Sequence, residues 1–246
     1  MKEISFVFLL LSLLAEIIGT IGGFGSSVFF VPIANFYFDF HSVLGLTALY
    51  HLSSNLSKIL LFKKGLDKSL LINMGIPSVL FVVIGGLTSR YINSQYLEII
   101  LGAFLIVLSL LFLADKGIRV SPNHFNSRLG GMLSGLSAGL LGTGGAIRGL
   151  TMAAFNLEKN MFIATSAFID FLIDFSRTFV YFNNGYIHSH DLIYLPFLFV
   201  IGLIGTGIGK RLLHYIPQDK FKSLSLSLIL FIGIVTLINV LIRQMP

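Results

Sequence analysis

The sequence predicts an all-α polytopic membrane protein made of two inverted-topology repeats of about five apolar segments each. Three observations carry that reading. Of 246 residues, 55% are hydrophobic and only 11% charged, with a mean hydropathy of +0.89. A water-soluble domain carries about 25% charged residues, so this chain could not cover itself with polar surface in water. The order of segments repeats: Gly19-Thr20-Ile21-Gly22-Gly23-Phe24-Gly25 returns as Gly139-Leu140-Leu141-Gly142-Thr143-Gly144-Gly145, and His51, Asn55 and Lys58 return 119 positions later as Asp170, Asp174 and Arg177. The basic loops change places between the two copies.

The apolar segments of the first half run over 4–19, 24–38, 42–62, 70–90 and 96–114. The first has the outline of a signal peptide, but Glu16 stands where a small-residue cleavage site belongs and the segment has a counterpart at 129–142, so it reads as part of the mature fold. The second contains Pro32 and is joined to the first by glycines rather than a polar loop. Segments of about 15 residues rise only ~23 Å, short of a ~30 Å hydrocarbon core. The first two segments of each repeat are therefore expected to be short, Gly-broken, re-entrant or half helices, which are tolerated at membrane depth only where protein or a cavity surrounds them. A polar linker over 115–128 with Ser121-Pro122-Asn123 separates the repeats, giving 1–114, the linker, and 129–246 within one membrane domain. The second half repeats the order at 129–142, 145–156, 160–182, 192–213 and 221–242; Gly65 matches Gly185 and Pro77 matches Pro196.

Charge sets the orientation. The loops 63–68, 115–128, 156–160 and 210–222 hold eleven Lys and Arg, against three (Lys2, Arg90, Arg243) in the opposite class. By the positive-inside rule the basic class is cytoplasmic and both termini face the outer, periplasmic side. The basic loop follows the third segment in the first half (Lys63, Lys64, Lys68) and the fourth in the second (Lys210, Arg211, Lys220, Lys222), as an odd number of crossings per repeat requires. The net charge of +6 is thus membrane topology rather than a nucleic-acid footprint. The absence of cysteine excludes disulfides, thiolate metal sites and thiol catalysis, and no phosphate-binding Gly-x-x-x-x-Gly-Lys-Ser/Thr motif occurs.

Polar groups at membrane depth are the candidate site. Gly22, Gly23, Gly25, Gly142, Gly144 and Gly145 allow sharp turns and close approach to backbone N–H groups, and a half-helix starting there points its positive dipole end at an anion. The alternative is close helix packing through small residues. His51, Asn55 and Lys58 share one helical face, as do Asp170, Asp174 and Arg177. Ionisable groups inside membrane segments are costly and usually face a cavity or a partner. Asp174 can pair with Arg177 at i,i+3, and Lys58 and Arg177 can instead snorkel to the interface. Asp170 lies deeper without a cation at i+4, which makes it the preferred proton-coupling group, with Asp174 and Glu16 as further candidates. Arg148 can meet an anionic substrate or pair with Glu16 or Asp170. His188-Ser189-His190-Asp191 has the look of a metal-ligand cluster, but on a short outer loop it reads as a solvated turn, and no metal or cofactor is assigned.

With these residues in view the chain resembles the TauE/SafE sulfite-exporter family, also called the toluene-sulfonate uptake permeases. The resemblance rests on Gly19–Pro32 with Leu46-Thr47-Ala48 in the first half, on Gly135–Gly145 with Ala164-Thr165-Ser166 in the second, and on the duplication. Phe24 interrupts the first glycine run, Met152 stands where Pro32 predicts a second proline, and Arg148 adds a charge. The resemblance implies a secondary transporter (permease) of small anions, sulfur-containing ones such as sulfonates or sulfite, in a bacterial inner membrane. Its partners would be the anion and the lipid bilayer, with a homo-oligomer left open. Inverted repeats suit alternating access with a site near the midplane. A passive anion channel and an intramembrane enzyme remain as alternatives; for the enzyme, His51 with Ser53 or Ser54 is the only weak candidate.

Overall fold

The computed structural model describes residues 5–23, 25–62, 65–113, 120–213, 215 and 218–244. Lys2, Lys63, Lys64, Phe24, the linker residues 115–119 with Lys116 and Arg119, and the side chains of Lys220, Lys222 and Arg243 lie outside the described residues. Among the described residues there are ten helices and no strand. The first five are α1 (Phe6–Gly22), α2 (Ser27–Ala34), α3 (Phe40–Leu61), α4 (Lys68–Ser89) and α5 (Ser94–Leu113). The second five are α6 (His124–Leu141), α7 (Gly145–Ala153), α8 (Lys159–Asn183), α9 (Leu192–Leu212) and α10 (Gln218–Gln244).

Local chemistry explains the boundaries. The side chains of Ser5, Asp39, Asp67 and Asn123 accept from Phe8, Ser42, Leu70 and Asn126 backbone N–H groups and so cap α1, α3, α4 and α6. Helices α1 and α6 end alike: Gly23 and Gly142 take left-handed conformations (φ 69° and 76°) and donate to the carbonyls of Gly19 and Ala138. A new short helix then starts within five residues, α2 with eight residues and α7 with nine. The breaks fall where the glycine clusters predict, but the first members are longer than expected. Helix α1 has 17 residues and α6 has 18, because the Asn123 cap draws His124–Arg128 into the helix rather than the linker. Among the described helices, α2 and α7, with eight and nine residues, fall well short of spanning a bilayer.

Among the described residues three helices, over Lys68–Ser89, Ser94–Leu111 and Leu192–Leu212, are long and apolar enough to cross a membrane. Helices α3 and α8, at 22 and 25 residues, are as long or longer but carry the polar stripes, which they turn toward the interior of the bundle. Helix α3 packs on α8 at the centre; α1 packs on α9 and α6 on α4; α3 also packs on α9 and α8 on α4; α5 pairs with α10. Two glycine stripes let the tightest pairs approach. On α6, a β-carbon at Gly131, Gly135 or Gly139 would sit 2.2–2.4 Å from the carbonyl oxygens of Met74, Ser78 and Val82 on α4. On α9, Gly205 and Gly209 leave room for Glu16 and Thr20 of α1. Packing through small residues is thus the role of the glycines upstream of the second break.

The bundle has two distinct ends. One gathers Leu61, Asp67, Thr165 and Lys210, joined by hydrogen bonds from Lys210 to Leu61 and from Asp67 N to Thr165. The other gathers Ser5, Ser42, Ser89, Ser94 and the 184–194 segment. Beneath this second end Phe8 meets the rings of Phe30, Tyr37, Phe38 and Tyr194 at centroid distances of 5.1–5.9 Å, forming an aromatic layer.

Candidate functional site

The helix breaks meet at the centre of the bundle, where the Ser27 and Thr143 hydroxyls lie 3.2 Å apart. Around them three ion pairs are buried. Glu16 pairs with Lys58 at 2.8 Å, Asp174 with Arg177 at 2.7 Å, and Asp170 with Arg148 in a two-pronged contact. Three cations and three carboxylates leave the cluster formally neutral, as burial of charge demands.

The pairs differ in their surroundings. Glu16 is wholly buried on α1 and accepts hydrogen bonds from five hydroxyls, those of Thr20, Ser26, Tyr50, Ser54 and Thr206, besides Lys58. Lys58 also donates to Ser54 at 2.9 Å. Asp174 accepts from Arg177 Nε at 2.9 Å and from Asn55 at 2.7 Å. Arg177 spends a further nitrogen on the carbonyls of Ala138 and Gly142, the open end of α6. Arg148, on α7, is wholly buried; its Nε donates to Ser166 at 2.9 Å and its two terminal nitrogens grip Asp170. Asp170 is the one acid of the three that reaches outward, with 20% of its side chain exposed.

That exposure opens onto a cleft lined by Gly23, Gly25, Asn55, Lys58, Ser166 and Asp170. Gly25 adopts φ 82°, and a β-carbon there would lie 3.6 Å from Asp170 and 3.7 Å from Arg148. The break of the first half therefore abuts the ion pair of the second. Ile163 also lines the cleft and packs with Phe62 and Leu213, so the cleft lies toward the end marked by Leu61 and Lys210.

The remaining expected residues fall behind this wall. Gly22 closes α1, Gly142 and Gly144 serve the second break, and Gly145 opens α7. Gly144 has no room for a side chain, since a β-carbon would lie 2.0 Å from Ser134 O. His51 is buried between Phe30 and Tyr50, with Nε2 3.2 Å from Ser26 Oγ. Neither Lys58 nor Arg177 snorkels; both are buried because carboxylates from other turns or helices reach them. The expected i,i+3 pair of Asp174 and Arg177 forms, and Arg148 takes Asp170 rather than Glu16. Ser53 donates to Tyr50 O and Ser54 to Glu16, so neither is aligned with His51 as a nucleophile.

The sequence profile of the family described as Sulfite exporter TauE/SafE matches residues 8–236, which takes in every residue of this site. The chain belongs to the TauE/SafE family. Comparison with curated proteins and with solved structures gives no match. TauE/SafE membership, together with helices long and apolar enough to span, identifies an integral membrane transporter. Within this TauE/SafE chain, sequence reasoning missed the hydroxyls that donate to Glu16, those of Ser26, Tyr50, Ser54 and Thr206, and the Ser166 hydroxyl that accepts from Arg148. Ser54 carried a signal in its i,i+4 spacing to Lys58, as did Thr20 to Glu16; the others come from distant segments and had none.

Proposed function

We propose that the chain is a secondary transporter of small sulfur-containing anions, sulfite or sulfonates, working by alternating access with proton coupling through Asp170 and Arg148. The observation that carries this reading is the Arg148–Asp170 pair: a buried guanidinium whose carboxylate partner stands in the wall of a cleft. An anion entering the cleft competes with Asp170 for Arg148. Displacing a charged carboxylate would leave two anions around one cation in a low-dielectric site, which is costly. A proton on Asp170 removes that cost and releases the guanidinium's two-pronged face, which suits a planar or tetrahedral oxyanion. Proton and anion binding then favour each other by the same factor. Gly23 and Gly25, which line the cleft without side chains, allow an anion close approach.

The two-repeat reading, 1–114 and 129–246 in opposite orientation, is supported by reciprocal packing. A two-fold operation exchanging α1–α5 with α6–α10 turns the α1–α9 contact into α6–α4, and α3–α9 into α8–α4. Asn55 and Asp174, which such an operation exchanges, touch each other at 2.7 Å. Lys68, Arg128, Lys159, Lys210 and Arg211 belong to the loop class assigned to the cytoplasm, in what we take to be an inner membrane, with both termini outside. The cleft then faces inward and the aromatic layer around Phe8 closes the outer side.

The experiment is anion flux in proteoliposomes, using sulfite and methanesulfonate under imposed pH gradients and potentials. Saturable, counterflow-competent flux driven by a pH gradient is expected; absence of flux under every gradient defeats the reading, and non-saturable flux favours a channel.

A further inference from the structure

The segment joining α8 to α9 carries His188, His190 and Asp191, at the end of the bundle opposite the cleft. Asp191 N donates to His188 O at 3.0 Å, and this turn folds the three side chains together. One ligand-capable atom from each lies within 4.8 Å of the others. The carboxylate is flanked on both sides: Asp191 Oδ1 lies 3.2 Å from His190 Nε2, and Oδ2 lies 3.6 Å from His188 Nδ1. Asp191 is buried, at 5% exposure, and among the described residues its Oδ2 accepts no hydrogen bond. A solvated turn, the reading the sequence favours, would hold an aspartate in water. A buried carboxylate oxygen without a donor carries its full desolvation cost, which a bound cation would offset.

The scaffold is fixed before any ion arrives. Ser42 Oγ holds the His188 ring at Nδ1 (2.8 Å), Tyr186 is tied to Ser89 at 3.1 Å, and the Tyr186 carbonyl lies so close to α3 that Gly45 has no room for a β-carbon (2.5 Å). The imidazoles remain accessible, with 41% of the His188 and 62% of the His190 side chain exposed.

We infer that His188, His190 and Asp191 form a binding site for a borderline divalent cation of the Zn²⁺ class, with its open coordination positions facing water. Two imidazoles and a carboxylate are the donor set Zn²⁺ takes with three protein ligands and an exchangeable fourth. Mg²⁺ and Ca²⁺ prefer all-oxygen sites. With Ser42 on Nδ1, His188 would ligate through Nε2, and the Ser42 contact is then the outer partner that orients a metal-bound histidine. The inference is independent of what the protein transports.

The test uses the purified full chain in detergent, stripped with chelator and free of any affinity histidines, titrated calorimetrically with ZnCl₂. One equivalent is expected to bind, with no competition from MgCl₂ or CaCl₂. His190→Ala, which alters an exposed side chain and leaves the fold intact, is expected to lose the binding. Ser42→Ala is expected to weaken it about 10-fold, the scale of an outer-partner loss. Co²⁺ in place of Zn²⁺ should give visible absorption bands that vanish in His190→Ala. Absence of Zn²⁺ binding, or the same affinity in His190→Ala as in the parent chain, overturns the proposal.

Discussion

Glu16 and Asp170 occupy comparable places, each a carboxylate beside a helix break and each paired with one cation, yet their surroundings are opposite. Five hydroxyls and Lys58 saturate Glu16, and no part of it reaches the cleft surface. Asp170 has Arg148 and a view of the cleft. A carboxylate whose every lone pair is engaged holds helices together: Glu16 ties α1 to α3, to Ser26 at the start of α2 and to Thr206 of α9. A carboxylate with one strong partner and access to water can exchange that partner. On the function proposed above, this contrast gives Glu16 a structural part and Asp170 the exchanging one, where the sequence allows either as a proton carrier.

The placement of glycine makes this asymmetry possible. In the α6–α4 pair the glycines sit on α6 and face carbonyl oxygens of α4, leaving no space for a side chain between them. In the α1–α9 pair they sit on α9, and the space they leave is filled by Glu16 and Thr20. The same close approach thus yields a dry seam in one half and a buried polar knot in the other.

The sharpest way to break the comparison is Glu16→Gln. It strands Lys58 as a buried charge, a loss of about 3–5 kcal/mol when one partner of a buried pair is removed. We expect little folded protein by detergent-solubility and thermal-unfolding measurements, with recovery in Glu16→Gln/Lys58→Met, where no charge is left uncompensated. A Glu16→Gln protein as stable as the parent would remove the structural assignment.

Asp170→Asn should behave differently. The chain should fold, because water and anions can reach the place of the lost charge. Anion flux should persist but no longer respond to a pH gradient, and sulfite should raise the melting temperature more than it does in the parent. Flux in Asp170→Asn that a pH gradient still drives takes the proton role away from this residue.

The glycine contrast has its own test. Gly135→Ala drives a β-carbon to 2.2 Å from a backbone oxygen of α4, whereas Gly205→Ala meets Glu16 side-chain carbons at 2.8 Å. Overpacking typically costs about 1–3 kcal/mol. Gly135→Ala should fall at or above the top of that range, because backbone cannot step aside, and Gly205→Ala nearer the bottom. Equal melting temperatures would mean that the two seams yield alike.

Much of this was legible in the chain because apolar periodicity and glycine breaks are local signals. The order of ten segments, both breaks and the Asp174–Arg177 pair follow from spacing alone. The pairing of Arg148 with Asp170 was one of two alternatives, since a 22-residue separation across the connection between α7 and α8 carries no fixed geometry. The hydroxyl shell of Glu16 was invisible because Ser26, Tyr50 and Thr206 look like ordinary small or aromatic residues until tertiary packing brings them together. The start of α6 was misplaced because His124–Arg128 is polar, and polarity outweighed the cap at Asn123.

The smallest effects separate the two sites most finely. Ser26→Ala removes one of six partners of Glu16, which keeps the rest, and one contact of His51; the cost should be about 1 kcal/mol, the net worth of a typical hydrogen bond. Transport should be unchanged once the protein is folded. Ser166→Ala removes the only hydroxyl found on Arg148 among the described residues and leaves a buried guanidinium N–H without an acceptor, for about 1–3 kcal/mol. The guanidinium is then free to tilt away from Asp170, so the Michaelis constant for anion flux should rise while that of Ser26→Ala stays at the parent value. Parallel proteoliposome assays and melting curves on the two variants read both quantities. A Michaelis constant shifted equally by both would mean that the Glu16 knot and the Arg148 pair serve one site rather than two roles.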